Sequence, residues 1–202
     1  GGAPLKPPEV FDAPFSAEVV DSGKIQDEQQ ARTVPDVFKE VTGASVQKTS
    51  PGHGGSPYIR GFTGYRNLLL IDGIRFNNSL FRDGPVQYWN LVDAFLIDRM
   101  DVIRGPSSVM YGSDSIGGTV YVHTRDPEIG GPEAAFHGRT YYRYGSADDS
   151  HTARQEVSGS VDSLGVSLGL TYRDFNDLDG GRSLGLMPNT GYDEYDGDAK
   201  VV

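Results

Sequence analysis

Residues 99–124 read RMDVIRGPSSVMYGSDSIGGTVYVHT, and the fold turns on how this stretch is punctuated. Met100 to Ile103 is β-branched and loosely alternating, which favours an extended strand. Gly105-Pro106-Ser107-Ser108 interrupts it, and Ser107 or Ser108 is placed to cap a single helical turn through Val109 and Met110. Gly112, Gly117 and Gly118 then offer positions without a Cβ, and Thr119 to Thr124 resumes a strand of β-branched and aromatic residues. Strand, turn, glycine-rich link and strand is a pattern that many glycine-rich α/β domains share.

Working back from this stretch, the chain alternates short strands with short helices. Phe15 to Val20 predicts a strand, and Lys24 to Arg32 an acidic, amide-rich helix. Thr33-Val34-Pro35 opens a second helix with Pro35 in its first turn, and Gly43 closes it. Ala44 to Lys48 is a strand, Thr49 to Pro57 (TSPGHGGSP) a loop, and Tyr58 to Phe62 a short strand. Leu68 to Ile71 and Ile74 to Phe76 flank Asp72-Gly73, a strong hairpin signal. Asn77 to Trp89 reads as a polar and aromatic loop, and Val92 to Ile97 as a short helix. Before all of these, Gly1 to Pro14 holds Pro4, Pro7, Pro8 and Pro14, which forbid a helix and predict an extended arm.

Beyond Pro127 the texture changes. Glu128 to Pro132 is a glycine and proline linker, after which the alternation becomes strict. Phe136, Gly138, Thr140, Tyr142 and Tyr144 share one face, and His137, Arg139, Tyr141 and Arg143 the other. Thr152, Arg154, Glu156, Ser158 and Ser160 oppose Ala153, Val157, Gly159 and Val161, and Val166, Leu168, Leu170 and Tyr172 oppose Ser167, Gly169, Thr171 and Arg173. Such segments suit a transmembrane β-barrel with its apolar side outward, and equally a soluble sandwich with its apolar side inward. Asp162 to Gly165 reads as a tight turn and Asp174 to Tyr195 as a long acidic loop. The chain ends at Val202, within an expected fourth strand.

Composition narrows the classes. At 202 residues the chain can bury a core in one or two domains. A formal charge of -10 without a basic run argues against nucleic acid as a partner, and the absence of cysteine removes disulfides and thiolate metal sites. No apolar run approaches the roughly 18 residues of a membrane helix, so membrane insertion would require a closed barrel. No HExxH or Walker loop occurs, and the chain reads as a non-enzyme without a cofactor of its own. The acidic set Asp174, Asp177, Asp179, Asp193, Glu194, Asp196 and Asp198 suggests calcium between residues 174 and 198. Aligning Gly180 or Gly197 with the EF-hand glycine puts Phe175 or Tyr192 at the first ligand position, so only a looser site remains against a solvated acidic loop.

IRGPSSVMYGSDSIGGTVYVHT resembles the signature that closes the plug domain of TonB-dependent outer-membrane receptors. PDVFKEVTGASV (Pro35 to Val46), YIRGF (Tyr58 to Phe62) and LLLIDGIRF (Leu68 to Phe76) extend the resemblance backward in the family's order. It implies an α+β plug domain followed by antiparallel transmembrane β-barrel strands, the barrel being incomplete in this chain. The expected division is an arm at residues 1–14, a plug at 15–130 and the first barrel strands at 131–202. An enclosing barrel of this class needs on the order of 22 strands, so the sequence is expected to be part of a longer protein. The implied location is the cell outer membrane, with the arm in the periplasm.

The resemblance also implies roles. The arm would pair with a TonB-type periplasmic energy-coupling protein by strand addition through Glu9, Val10 and Phe11, although the valine-rich run typical of the family is missing. Arg60 and Arg104 would latch the plug to barrel glutamates, a task that suits an always-charged, bidentate guanidinium. His53, Tyr65, Arg66, Asn78, Leu80, Phe81 and Arg82 lie in loops expected at the outer mouth. There aromatics would stack on, and arginines would hold, a small-molecule nutrient such as a ferric chelate, and His53 could ligate haem iron. Outer-membrane lipid is the remaining implied partner. A soluble β-rich binding or adhesion module is the alternative.

Overall fold

The structure, a computed structural model, describes residues 16–50, 54–77, 84, 87–129, 132–181 and 184–202. The chain divides into two units, residues 1–125 and residues 126–202, a few residues before the boundary expected at 130. In the first unit the strands are β1 (Ser16–Asp21), β2 (Ala44–Lys48), β3 (Gly55–Ile59), β4 (Asn67–Ile71), β5 (Ile74–Arg75), β6 (Ile97–Arg104) and β7 (Gly118–Thr124). They form a sheet of order β1-β6-β7-β4-β5 and a separate β2-β3 hairpin. β6 runs antiparallel to both β1 and β7, whereas β4 and β7 run parallel.

The apolar residues of β4 and β7 form near-continuous runs because both faces of the sheet are covered. Leu69, Val120 and Val122 join Val20, Val34, Val37, Phe38, Ile97, Met100 and Val102 in the main core. Their chain neighbours Leu68, Leu70 and Tyr121 point the other way into a smaller cluster with Tyr111. Trp89 closes the main core against Phe38, with ring centroids 6.0 Å apart.

Several local expectations are corrected by tertiary contacts. The helix expected over Lys24 to Arg32 is only a π-helical turn, Lys24–Glu28. Buried Gln26 donates its amide to the carbonyls of Phe95 and Ile97, each at 3.3 Å, and Gln30 turns left-handed at φ 49°. The second helix is a single turn, α1 (Val34–Val37), continued by the 3₁₀ turn Phe38–Glu40. β3 begins inside the expected loop at Gly55 because residues 55 and 56 pair with Lys48 and Gln47. It stops at Ile59, where Arg60 and Gly61 turn left-handed and Ile59 and Phe62 exchange backbone hydrogen bonds. The expected helix at Val92 to Ile97 is the 3₁₀ turn Ala94–Leu96, whose Phe95 N–H donates to Asp93 at 3.0 Å. Asp72 and Gly73, at φ 48° and 83°, make the expected hairpin turn.

In the second unit β8 (Ala135–Gly145), β9 (Ser150–Val161), β10 (Leu164–Phe175) and β13 (Tyr192–Val201) form an antiparallel sheet of order β13-β10-β9-β8. The β9-β10 turn is tighter than expected, since Val161 already pairs with Leu164. The segment expected as one long loop contains a small ribbon, β11 (Leu178–Asp179) with β12 (Leu186–Met187). Asp177 organises it by accepting the backbone N–H of Thr190 and Gly191 at 2.8 and 2.9 Å. These two bonds, Gly191 first, hold its carboxyl below the usual range. Among the described residues no helix is long and apolar enough to cross a membrane.

Candidate functional site

The stretch that decides the fold also supplies two inner strands of the first unit's sheet, β6 and β7. A Cβ at Gly117 would strike Asn67 and Phe62, and one at Gly118 would lie 2.5 Å from the Ile103 carbonyl. The glycine pair therefore lets β7 slide between β6 and the Ile59 turn. Between the strands, the turn α2 (Ser108–Tyr111) forms as expected, but neither serine hydroxyl caps it. The Ser107 hydroxyl instead joins Ser115 at 2.5 Å and Thr119 at 2.8 Å, and Ser115 and Thr119 are themselves 2.5 Å apart. All three hydroxyl residues are buried, so this closed ring satisfies polar groups that would otherwise be costly there.

The two candidate latch arginines converge on Gly43. The Arg60 N–H donates to the Gly43 carbonyl at 3.0 Å, and the Arg104 stem passes the same glycine. Arg104 is held within its own unit by Glu18 at 3.1 Å, the Ser16 hydroxyl at 2.6 Å and the Thr42 carbonyl. The exposed Arg60 side chain lies against Gly105 and has no ion pair among the described residues. Both guanidiniums thus mark one corner of the unit.

Two further ionic groups sit elsewhere in this unit. Buried Asp36 accepts the Thr33 N–H and hydroxyl and lies 2.8 Å from both Lys39 and Lys48. Burial alone would push its carboxyl up, but the two ammonium groups prevail and hold it below the usual range. On the sheet, Asp101 meets His123 at 2.8 Å and Arg99 at 3.1 Å, and His123 stacks on Tyr121. Burial, then the Asp101 carboxylate, pushes the neighbouring Tyr111 hydroxyl up. Neither group was singled out in the sequence, because Lys48 and His123, which complete them, come from other strands and leave no local signal.

Of the expected ligand-contacting residues, Tyr65 and Arg66 are described, whereas His53, Asn78, Leu80, Phe81 and Arg82 lie outside the described residues, as do Glu9, Val10 and Phe11. Tyr65 packs against the main core, and the Arg66 guanidinium lies 5.0 Å from its ring centroid. The Arg66 carbonyl accepts from Ile116 and Gly117, which ties this turn to the glycine link. The flanks of the other two loops are brought together: Gln87 donates to the Thr49 hydroxyl at 2.7 Å, and Asn90 bonds both the N–H and the carbonyl of Gly55.

In the second unit the polar face carries buried guanidiniums. Arg154 reaches Asp198 at 2.8 Å, Glu156 at 2.9 Å and the Thr171 hydroxyl at 3.0 Å. Arg173 reaches Asp196 at 2.5 Å and Glu194 at 3.1 Å. Much of the acidic set is therefore neither a solvated loop nor a calcium cage: Glu194, Asp196 and Asp198 are strand residues spent on arginines. Among the described residues no three or more His, Asp or Glu are grouped to hold a metal ion. The opposite face exposes Phe136, Tyr142, Leu168, Leu170 and Tyr195.

An α+β unit with a closed apolar core, followed in sequence by a sheet whose apolar side faces out, defines the plug-and-barrel class of outer-membrane protein. Residues 9–119 match the TonB-dependent Receptor Plug Domain, and the chain belongs to that family, whose members are proteins of the outer membrane. It is 38% identical over 114 residues to the vitamin B12 transporter BtuB of Vibrio vulnificus, covering 56% of this chain and 18% of that protein. It is 27% identical over 175 residues to a hemin receptor of Yersinia pestis, covering 83% of this chain and 24% of the relative. In fold it is similar to the copper transporter OprC, with a TM-score of 0.73 at 20% identity over 92% of this chain and 27% of that one. The chain spans about a fifth of the length of these curated relatives.

Proposed function

We propose that the chain is part of an outer-membrane receptor whose plug gates active uptake of a scarce nutrient such as a ferric siderophore, haem or cobalamin. The observation that carries this is the reversed polarity of the second unit, with buried arginine–carboxylate pairs on one face and exposed apolar residues on the other, directly after a plug domain. A soluble module would present the opposite arrangement. The protein works as a switch rather than an enzyme: polar contacts hold a wide pore shut, and ligand binding with mechanical coupling shifts that state. Residues 1–14, with Glu9, Val10 and Phe11, form the segment that a TonB-type partner pulls. His53, Tyr65, Arg66, Asn78, Leu80, Phe81 and Arg82 contribute to ligand contact. Arg60 and Arg104 latch the plug to barrel carboxylates, and Arg104 also braces its own corner through Glu18.

Two experiments on the full-length receptor test the scheme. Deleting residues 1–14 is expected to abolish energised uptake while ligand binding persists, and replacing Arg60 and Arg104 with Ala is expected to raise ion conductance across planar bilayers. Uptake that survives the deletion removes the arm from coupling, and unchanged conductance in the double variant removes the latch.

A further inference from the structure

The outward face of the second unit is not flat. Phe136, Val157, Val161, Leu164, Val166 and Leu168 wall a groove of about 340 Å³. Its floor is Gly159, which the strand registers place between Phe136 on β8 and Val166 on β10. A Cβ at position 159 would meet the Phe136 ring at 3.2 Å, so the depth of the groove depends on glycine. The next row along the strands again sets small beside large, Gly138 against Val157 and Leu168 against Ala199. Water in such a trench would lie against hydrocarbon walls, and on a barrel's outer face the medium that fills it is lipid chain.

One end of the groove is marked by charge. Val161 and Leu164 flank the Asp162-Ser163 turn, and Pro127 lies against Gly165 just beyond it. That end bears the exposed Asp162, while Glu128 lies 3.6 Å from His137 and Lys200 is paired with Asp126 at 2.5 Å. A carboxylate at that end favours a zwitterionic headgroup that offers an ammonium over one of net negative charge.

We propose that this groove seats one acyl chain of an outer-membrane phospholipid, with an amine-bearing headgroup at the Asp162 end. The inference rests on the reading of the second unit as barrel wall. The full-length receptor, placed in nanodiscs of equimolar phosphatidylethanolamine and phosphatidylglycerol and released for native mass spectrometry, is expected to retain phosphatidylethanolamine in preference. Gly159→Leu fills the groove and is expected to lower retention several-fold, with the barrel still resisting SDS at room temperature. Phe136→Ala removes a wall without adding bulk and is expected to do the same, which covers a failure of the leucine variant to fold. Asp162→Asn is expected to erase the headgroup preference while retention persists. Equal retention by the wild type and the folded groove variants overturns the acyl site, and equal retention of the two lipids by the wild type overturns the headgroup assignment. A receptor that does not enter nanodiscs at all overturns the barrel reading, and the groove with it.

Discussion

Leu69 in β4 and Arg173 in β10 are both shut away from solvent, at 0% and 1% exposure, yet one is hydrocarbon and the other a full charge. Around Leu69 the neighbours are Val, Ile and Met, and that unit holds together as water-soluble domains do, by removing apolar surface from water. Around Arg173 they are Glu194 and Asp196, and large apolar residues of that unit stand on the far side, with Phe136 85% and Leu170 70% exposed. Both units use strands whose side chains alternate with period two. What differs is where the hydrocarbon lies: enclosed in the first unit, on the exposed face in the second.

The sharpest way to break this comparison is to delete one buried residue from each unit. Arg173→Ala leaves the half-buried Glu194 and Asp196 without their guanidinium and is expected to cost about 3 kcal/mol, the low end for breaking a buried pair. Leu69→Ala leaves a cavity and is expected to cost about 3 kcal/mol. Denaturant unfolding of the full-length receptor in detergent reads both, and an Arg173 variant as stable as the wild type would show that the pairs are surface decoration. A charge placed on the other side is the next test. Leu168→Lys is expected to cost about 2–4 kcal/mol in lipid if Leu168 lies near the bilayer midplane, and refolding yields into vesicles would register it.

A smaller effect is expected inside the first unit. Asp36→Asn removes the charge shared by Lys39 and Lys48 but keeps an acceptor for Thr33, and is expected to cost about 1 kcal/mol. The pH dependence follows from the direction of its shift. The Asp36 carboxyl is held below its ordinary value of 3.8, so its stabilisation is present above that value and is lost as the pH falls through the lower folded one. Acid titrations of the two proteins should therefore stay fully separate above about pH 4 and converge only as the pH falls through the lower folded value. The smallest effect belongs to Val109, fully exposed at 102% on α2, where Val109→Ser is expected to change stability by less than about 0.5 kcal/mol.

Much of the plug was legible because its elements are punctuated by residues with local meaning. Asp72-Gly73 announced a hairpin, and the strands on either side of it were read to within a residue. The helices were overread because amide-rich and acidic stretches look helical until a distant partner claims them, as the 94–97 backbone claims Gln26. The site was legible only in part. Arg60 and Arg104 were visible as a pair of Arg-Gly steps, but their meeting at Gly43 was not, and neither was the bond from Arg104 to Glu18, which lies in another strand.

The sequence by itself determined the period, the order of the blocks and the faces of the second unit's strands, because side-chain alternation and turn chemistry act over a few residues. Tertiary structure alone decided which charges meet. The acidic run after Tyr192 looks like a loop or a metal cage when read along the chain. Antiparallel pairing of β10 with β13 sets Arg173 opposite Glu194 and brings Arg154 to Asp198, across 21 and 44 residues, so the same carboxylates become partners of buried guanidiniums. Electrostatic pairing depends on distance in space, and only the folded register supplies that distance.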